Sequence, residues 1–203
     1  YHLDALSLRC WNEMETILAV ITGIGLSAAC GFRIFVPLLA LSLATKYGLI
    51  TLASGFEWMG GYYAMIAFAS ATVLEVIAYY VPWLDNMMDA IASPVSILAG
   101  TVVTASVITD MPPSLKWMVA IIAGGGAAGL LQGATTALRA KSSLFTGGIG
   151  NPAVSTLELV GSAVTAILAI ILPIIGIILV VAFIIFVLIK AGRSFLKKMK
   201  AGA

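Results

Sequence analysis

The sequence predicts an all-α membrane protein, a polytopic bundle of about six transmembrane helices. Two observations carry that prediction. Of 203 residues, 61% are hydrophobic and only 10% charged, and the mean hydropathy of +1.10 lies outside the range of soluble domains. The apolar residues also gather into windows of about 20, the helix length that crosses roughly 30 Å of hydrocarbon. The net charge of +2 is small, and five basic residues (Lys190, Arg193, Lys197, Lys198, Lys200) fall in the last fourteen positions. Such a tail suits anionic lipid at a membrane surface and gives no nucleic-acid footprint.

Taken in order, residues 1–13 read as a polar leader, an extension ahead of Met14. Residues 14–190 read as one transmembrane domain, and 191–203 as a basic cytoplasmic tail. The first window, 17–45, is too long for a cleaved signal peptide. It holds Gly23, Ser27 and Gly31 at four-residue spacing, a face on which a neighbouring backbone can approach closely. Arg33 follows, a permanent charge that must face protein or water, and Pro37, where a kink or break is expected. Further windows are 61–82, 91–109, 117–139, 152–172 and 173–190. The last two form one apolar run, too long for a single crossing, so a tight turn is placed at Leu172–Gly176.

With six spans both termini share a side. That side collects Arg9, Arg139, Lys141 and the five tail cations, against Lys46 and Lys116 opposite, which predicts both termini in the cytoplasm; a five-span model, which would put the basic tail opposite the N-terminus and Arg139, ranks second. A 3+3 inverted repeat is also suggested. Gly23–Ala29 is similar to Gly124–Gly129, and Ala69–Pro82 to Val160–Pro173. Composition alone makes such helices look alike, so both readings stand.

The fourth window repeats the small-residue spacing at Gly125, Gly129 and Gly133. On another face Gln132, Thr135, Thr136 and Arg139 form a polar stripe. The fifth carries Ser155, Glu158, Ser162 and Thr165, and the second Thr72, Glu75 and Tyr79. Glu75, Arg139 and Glu158 fall at one depth near the cytoplasmic boundary, whereas Arg33 is expected deeper. Three readings apply: a structural ion pair, a proton- or substrate-binding site, and an Arg139 that snorkels to the surface. Ser93–Pro94 and Asn151–Pro152 look like helix starts on the same side, suited to an anionic group or to ordinary capping. Between spans two and three, Trp83–Asp89 reads as an interfacial stretch with Trp83 as anchor and Asp85 and Asp89 in solvent. Cys10 and Cys30 suggest neither a disulfide nor a metal site, and His2 is the only histidine. No metal or cofactor is expected.

The ordered segments GLSAACGFRIFVPLLALS, LEVIAYYVPWLDNMMDAIASPVSILAG and GGGAAGLLQGATTALRA resemble the bacterial DUF4126 membrane family from about Met14 to Lys190. The resemblance implies an integral inner-membrane protein and brings no activity or site residues with it. The residues themselves favour a transporter- or channel-like protein with a polar, cytoplasm-facing cavity for a small anionic or phosphate-bearing solute or a coupled proton. Its binding set would be Arg33, Glu75, Ser93, Gln132, Arg139, Asn151 and Glu158. The alternative is a non-catalytic structural or interaction subunit, a homo-oligomer or part of a larger membrane complex. An enzyme ranks last, for want of a histidine, metal cluster or nucleophile motif.

Overall fold

The computed structural model describes the backbone of residues 2–147 and 149–201, and the side chains of residues 12–81, 84, 87–147, 149–186, 189 and 190. The side chains of His2, Arg9, Cys10, Trp83, Asp85, Arg193, Lys197, Lys198 and Lys200, and with them the anchor and tail expectations, lie outside this set. The described chain is all-helical: α1 (His2–Cys30), α2 (Phe35–Lys46), a 3₁₀ turn (Glu57–Gly60), α3 (Tyr62–Tyr80), α4 (Pro82–Val107), α5 (Pro113–Val119), a π-helical turn (Ala120–Gly125), α6 (Gly126–Thr146), α7 (Asn151–Ile171) and α8 (Pro173–Ala201). Prolines sit in the first turns of α4, α5, α7 and α8, where the missing N–H has no intrahelical partner to lose. α5, the π turn and α6 form one continuous rod of 34 residues.

Among the described residues five helical stretches are long and apolar enough to cross a membrane: Asn12–Cys30, Tyr62–Tyr80, Met87–Val107, Pro113–Thr146 and Asn151–Ile171. Shorter apolar helices are Phe35–Lys46 and Pro173–Phe186. The turn between the last two spans is where it was expected, reduced to the single residue Leu172. Two other expectations change. The stretch 83–89 is the first part of α4, and α4 continues through Pro94. Residues 17–45 are not one crossing with a kink. The chain reverses at Gly31–Ile34, and Pro37 lies in the first turn of α2, where it bends nothing.

The reversal makes α1 and α2 a helical hairpin. Along α1, a Cβ on Gly25 would touch Ala169, Ser162 Oγ donates to Ala29 O at 3.0 Å, and Arg33 Nη2 donates to Ser155 O at 3.1 Å, so α1 runs antiparallel to α7. α2 then runs back beside α7, and residues from Val36 to Tyr47 line a cavity shared with residues from Ala163 to Ile171. Entry and exit of the hairpin meet again, since Glu15, Leu18 and Thr22 line one cavity with Leu49, Ile50, Thr109 and Pro173. α8 starts at that same end and passes the hairpin tip where Phe32 meets Phe183, ring centroids 5.8 Å apart. Residues 12 and 190 therefore lie at opposite ends of the bundle. The added reversal removes the shared side that six simple crossings imply.

Small residues clamp the hairpin. Gly23 faces Thr104 and Val107 of α4, Ser27 Oγ donates to Gly124 O, and Gly31 abuts Ala128, Leu131 and Gln132 of α6. Thr104 Oγ1 donates to Gly23 O at 3.0 Å. Gly100 of α4 sits where three helices meet, and a methyl group there would overlap Ser27 and Ala128 and crowd the Gly124 carbonyl. Gly125 and Gly129 pack on Ile97 of α4, whereas Gly133 meets nothing within 4 Å. Each step of four residues rotates a helical position by about 40°, so the third glycine has turned away from the contact. The inverted repeat is not shown: α1 and α6 run in the same direction past α4, while α3 and α7 run oppositely, so no single symmetry operation relates both pairs.

A cysteine scan tests the hairpin. In full-length protein with Cys10 and Cys30 replaced by alanine, Glu13→Cys and Thr51→Cys are expected to react with a membrane-impermeant maleimide from one side, and Ser142→Cys from the other. Labelling of Glu13→Cys together with Ser142→Cys would restore the single-crossing topology.

Candidate functional site

Five ionisable residues from different elements meet at one depth. Glu158 is seven residues into α7, Asp89 seven into α4, and Arg139 seven from the end of α6, which places each about 10 Å inside its helix end. Glu75 is five residues from the end of α3. Arg33 joins them because the reversal at the hairpin tip stops the chain at this depth. It does not lie in a separate, deeper position. Arg33 is 1% exposed, and Glu75, Arg139 and Glu158 are each 4% exposed.

Arg139 and Glu158 form a two-pronged pair: Nε donates to Oε1 at 3.0 Å and Nη2 donates to Oε2. This fork geometry is the strong form of a guanidinium–carboxylate contact. Arg33 Nη2 approaches the same Oε2 at 3.6 Å, and Asp89 Oδ1 lies 3.4 Å from Arg139 Nη1. Both guanidiniums also rest on Tyr79, at 3.9 Å (Arg33) and 4.0 Å (Arg139) from the ring centroid. In a dry interior each such cation–π contact is worth about 2 kcal/mol. Tyr79 is itself fixed from α7, since Ser155 Oγ donates to its carbonyl at 3.3 Å.

Glu75 has a different task. Its Oε1 accepts from Ile34 N at 2.9 Å and its Oε2 from Phe35 N at 3.1 Å, so the carboxylate caps the buried start of α2. The helix dipole favours an anion there, and no side chain of α2 itself provides a cap.

The structure thus brings Arg33, Glu75, Arg139 and Glu158 together and leaves the other expected members outside. Gln132 is buried beneath Gly31, but its amide donates to Thr136 Oγ1 at 3.4 Å along its own helix. Asn151 bonds Ser143 of α6, with Nδ2 donating to Ser143 Oγ at 3.0 Å, so it pins the α6–α7 turn. Ser93 opens no helix: it lies within α4, and its carbonyl accepts from Ser96 Oγ at 3.0 Å. Arg139 does not snorkel. The layer closes on itself, so these residues do not form the open polar cavity expected from the sequence. A cavity of about 350 Å³ between α2 and α7 is apolar, lined by residues such as Val36, Leu39, Ala163 and Ile167.

Asp89 and Tyr79 are members that the sequence did not single out for the site. Asp89, read as solvated, lies in the first part of α4 with its Oδ1 3.4 Å from Arg139 Nη1. Tyr79 did carry a signal, four residues after Glu75 on the same helix face.

A family model described as "Domain of unknown function (DUF4126)" matches residues 20–193. The chain belongs to the DUF4126 family. The match takes in the whole charge layer and the hairpin tip. A comparison of this DUF4126 chain with curated proteins and with solved structures found no match.

Two outcomes are expected of variants in the DUF4126 layer. Arg139→Leu removes the forked partner of Glu158, leaving it Arg33 Nη2 at 3.6 Å, and should lower stability by about 3–5 kcal/mol. Adding Glu158→Leu should recover part of that loss, read from unfolding of the two single variants and the double in detergent; strict additivity would contradict the pairing. Glu75→Gln sets an amide donor against one of the two backbone donors. It should cost about 1–3 kcal/mol and speed hydrogen exchange at the Ile34 and Phe35 amides.

Proposed function

We propose that this DUF4126 protein is a transporter- or channel-like protein of the bacterial inner membrane, with the charge layer as its closed site for a small anionic or phosphate-bearing solute or a coupled proton. The supporting observation is the α1–α2 reversal. Helix ends and irregular backbone are accepted deep in a membrane where they are enclosed by protein or line a pathway. In transporters with interrupted helices the half-helix ends are the places where ions and substrates bind. Here the start of α2 and the Arg33 side chain lie in one layer with Arg139, Glu158 and Glu75. The distribution of positive charge supports reading that layer as the cytoplasmic one, since Arg139, Lys141 and Lys190 lie at its end and Lys46 and Lys116 at the other. The side chains of the layer offer ion binding, which supports a non-enzymatic reading.

The second reading is a structural or interaction subunit, alone as a homo-oligomer or with other membrane chains. It draws on the α6 face where Gly126 and Gly133 meet nothing within 4 Å and Leu130 is half exposed, the kind of surface that small-residue helix pairing uses. The basic tail then serves as an anchor to anionic lipid.

Reconstituted vesicles separate the two. Under an imposed proton gradient, wild-type protein should carry phosphate or protons faster than protein-free vesicles. Glu75→Gln or Glu158→Gln should change the rate about tenfold or shift its pH profile. Flux equal to that of empty vesicles, with a fixed stoichiometric partner on purification, would decide for the second reading.

A further inference from the structure

The two carboxylates of the layer are held in chemically different ways. Glu75 is bound by backbone N–H groups of the hairpin tip, which exist only in this fold. Glu158 is bound by two side chains that reach it from outside its own helix. Arg139 comes from α6 and Arg33 from the tip, and both direct Nη2 to the same oxygen, Oε2. Two guanidiniums converging on one oxygen are as well matched to a phosphate oxygen as to a carboxylate, since the planar fork recognises both. Their shared seat on Tyr79 holds them in place whatever anion lies between them. Asp89, 16% exposed, is the least buried of the acidic members, with its Oδ1 3.4 Å from Arg139 Nη1.

We infer that Glu158 is the internal occupant of a two-arginine oxyanion site, and that an external oxyanion of the phosphate class displaces it from Arg33 and Arg139. The displaced carboxylate takes up one proton from solvent, so the charge of the layer is unchanged when the incoming oxyanion is a monoanion such as dihydrogen phosphate. The groups facing it are Tyr79 and Glu75 from α3, Asp89 from α4, Arg139 from α6 and Arg33 from the tip, with Ser155 one turn away on α7. Of these, Glu75 stays on Ile34 and Phe35, and Asp89 stays beside Arg139. This deepens the transport reading by naming what the site recognises, but it concerns binding alone.

The test is calorimetric titration of the purified full chain in uncharged detergent, first with inorganic phosphate and then with phosphatidic acid in the same micelles. Wild-type protein should bind more tightly at about pH 5.5 than at about pH 8, because acid supplies the proton the exchange needs. Glu158→Gln should bind at least about tenfold more tightly than wild type at the higher pH and gain little from acid. Arg33→Gln should abolish the gain. Should Glu158→Gln not fold, Glu158→Asp keeps the charge while shortening its reach, and an intermediate gain is expected. Tighter binding of inorganic phosphate marks a free solute as the ligand, and tighter binding of phosphatidic acid marks a lipid headgroup. Binding of neither, or a Glu158→Gln variant no tighter than wild type, overturns the inference. Binding without vesicle flux would remove the transport reading and leave the site standing.

Discussion

A chain that reverses inside a membrane must find partners for the peptide groups that the break in its helix releases. At Gly31–Ile34 that demand is met from another helix: Glu75 of α3 takes the N–H groups of Ile34 and Phe35. An unpaired buried donor costs about 1–3 kcal/mol, more where no water can reach it. The carboxylate therefore fixes where α2 begins, and so where Arg33 stands. Ser162 completes the tip by donating to Ala29 O at 3.0 Å and Arg33 O at 3.4 Å.

The walls of the hairpin follow from the same shortage of partners. In lipid there is little hydrophobic drive between helices, so α1 is held by close contact and by hydrogen bonds to carbonyls. Ser27 reaches the Gly124 carbonyl in the π turn, and Thr104 reaches Gly23. The π turn spreads its hydrogen bonds over a wider ring, and Gly124 allows Thr104 and Gly100 to approach from α4. One three-helix junction thereby sets the height of α1, and the height of α1 sets the depth of the tip.

Helix positions were legible because hydrophobic windows and prolines report them directly. Pro82, Pro113, Pro152 and Pro173 each lie in the first turn of a helix. Pro94 misled for a local reason: a serine ahead of a proline looks like a helix start, and only packing shows that α4 continues through it. The convergence of Glu75, Arg139 and Glu158 could be read from depth alone, because helix rise turns residue number into distance. The place of Arg33 could not. A broken crossing and a hairpin have the same hydropathy, and the difference rests on contacts more than 100 residues apart, such as Arg33 with Ser155. Asp89 was lost with the interfacial reading of its segment. Gly100 was open to detection, since Ser96, Gly100 and Thr104 repeat the four-residue spacing seen in α1.

Stability alone does not account for two arginines and three carboxylates in this layer. A buried ion pair commonly contributes no more than well-packed apolar side chains of similar volume would, because desolvation of both charges offsets their attraction. What a charged layer has and an apolar one lacks is a second way to be satisfied: its partners can be exchanged for others of the same charge. α2 is the element that starts in this layer. With 12 residues it is about 18 Å long, too short to cross the membrane. Its far end leads into the loop that pairs Ala53 N with Ser106 O at 2.7 Å, and its near end is tied to α3 by Glu75 alone among the side-chain bonds described at the tip. A change at Glu158 alters what Arg33 balances, and Arg33 directly precedes the two residues that Glu75 holds. The ion layer and the start of the half-helix thus adjoin within the tripeptide Arg33–Phe35, with Arg33 in one and Ile34 and Phe35 in the other.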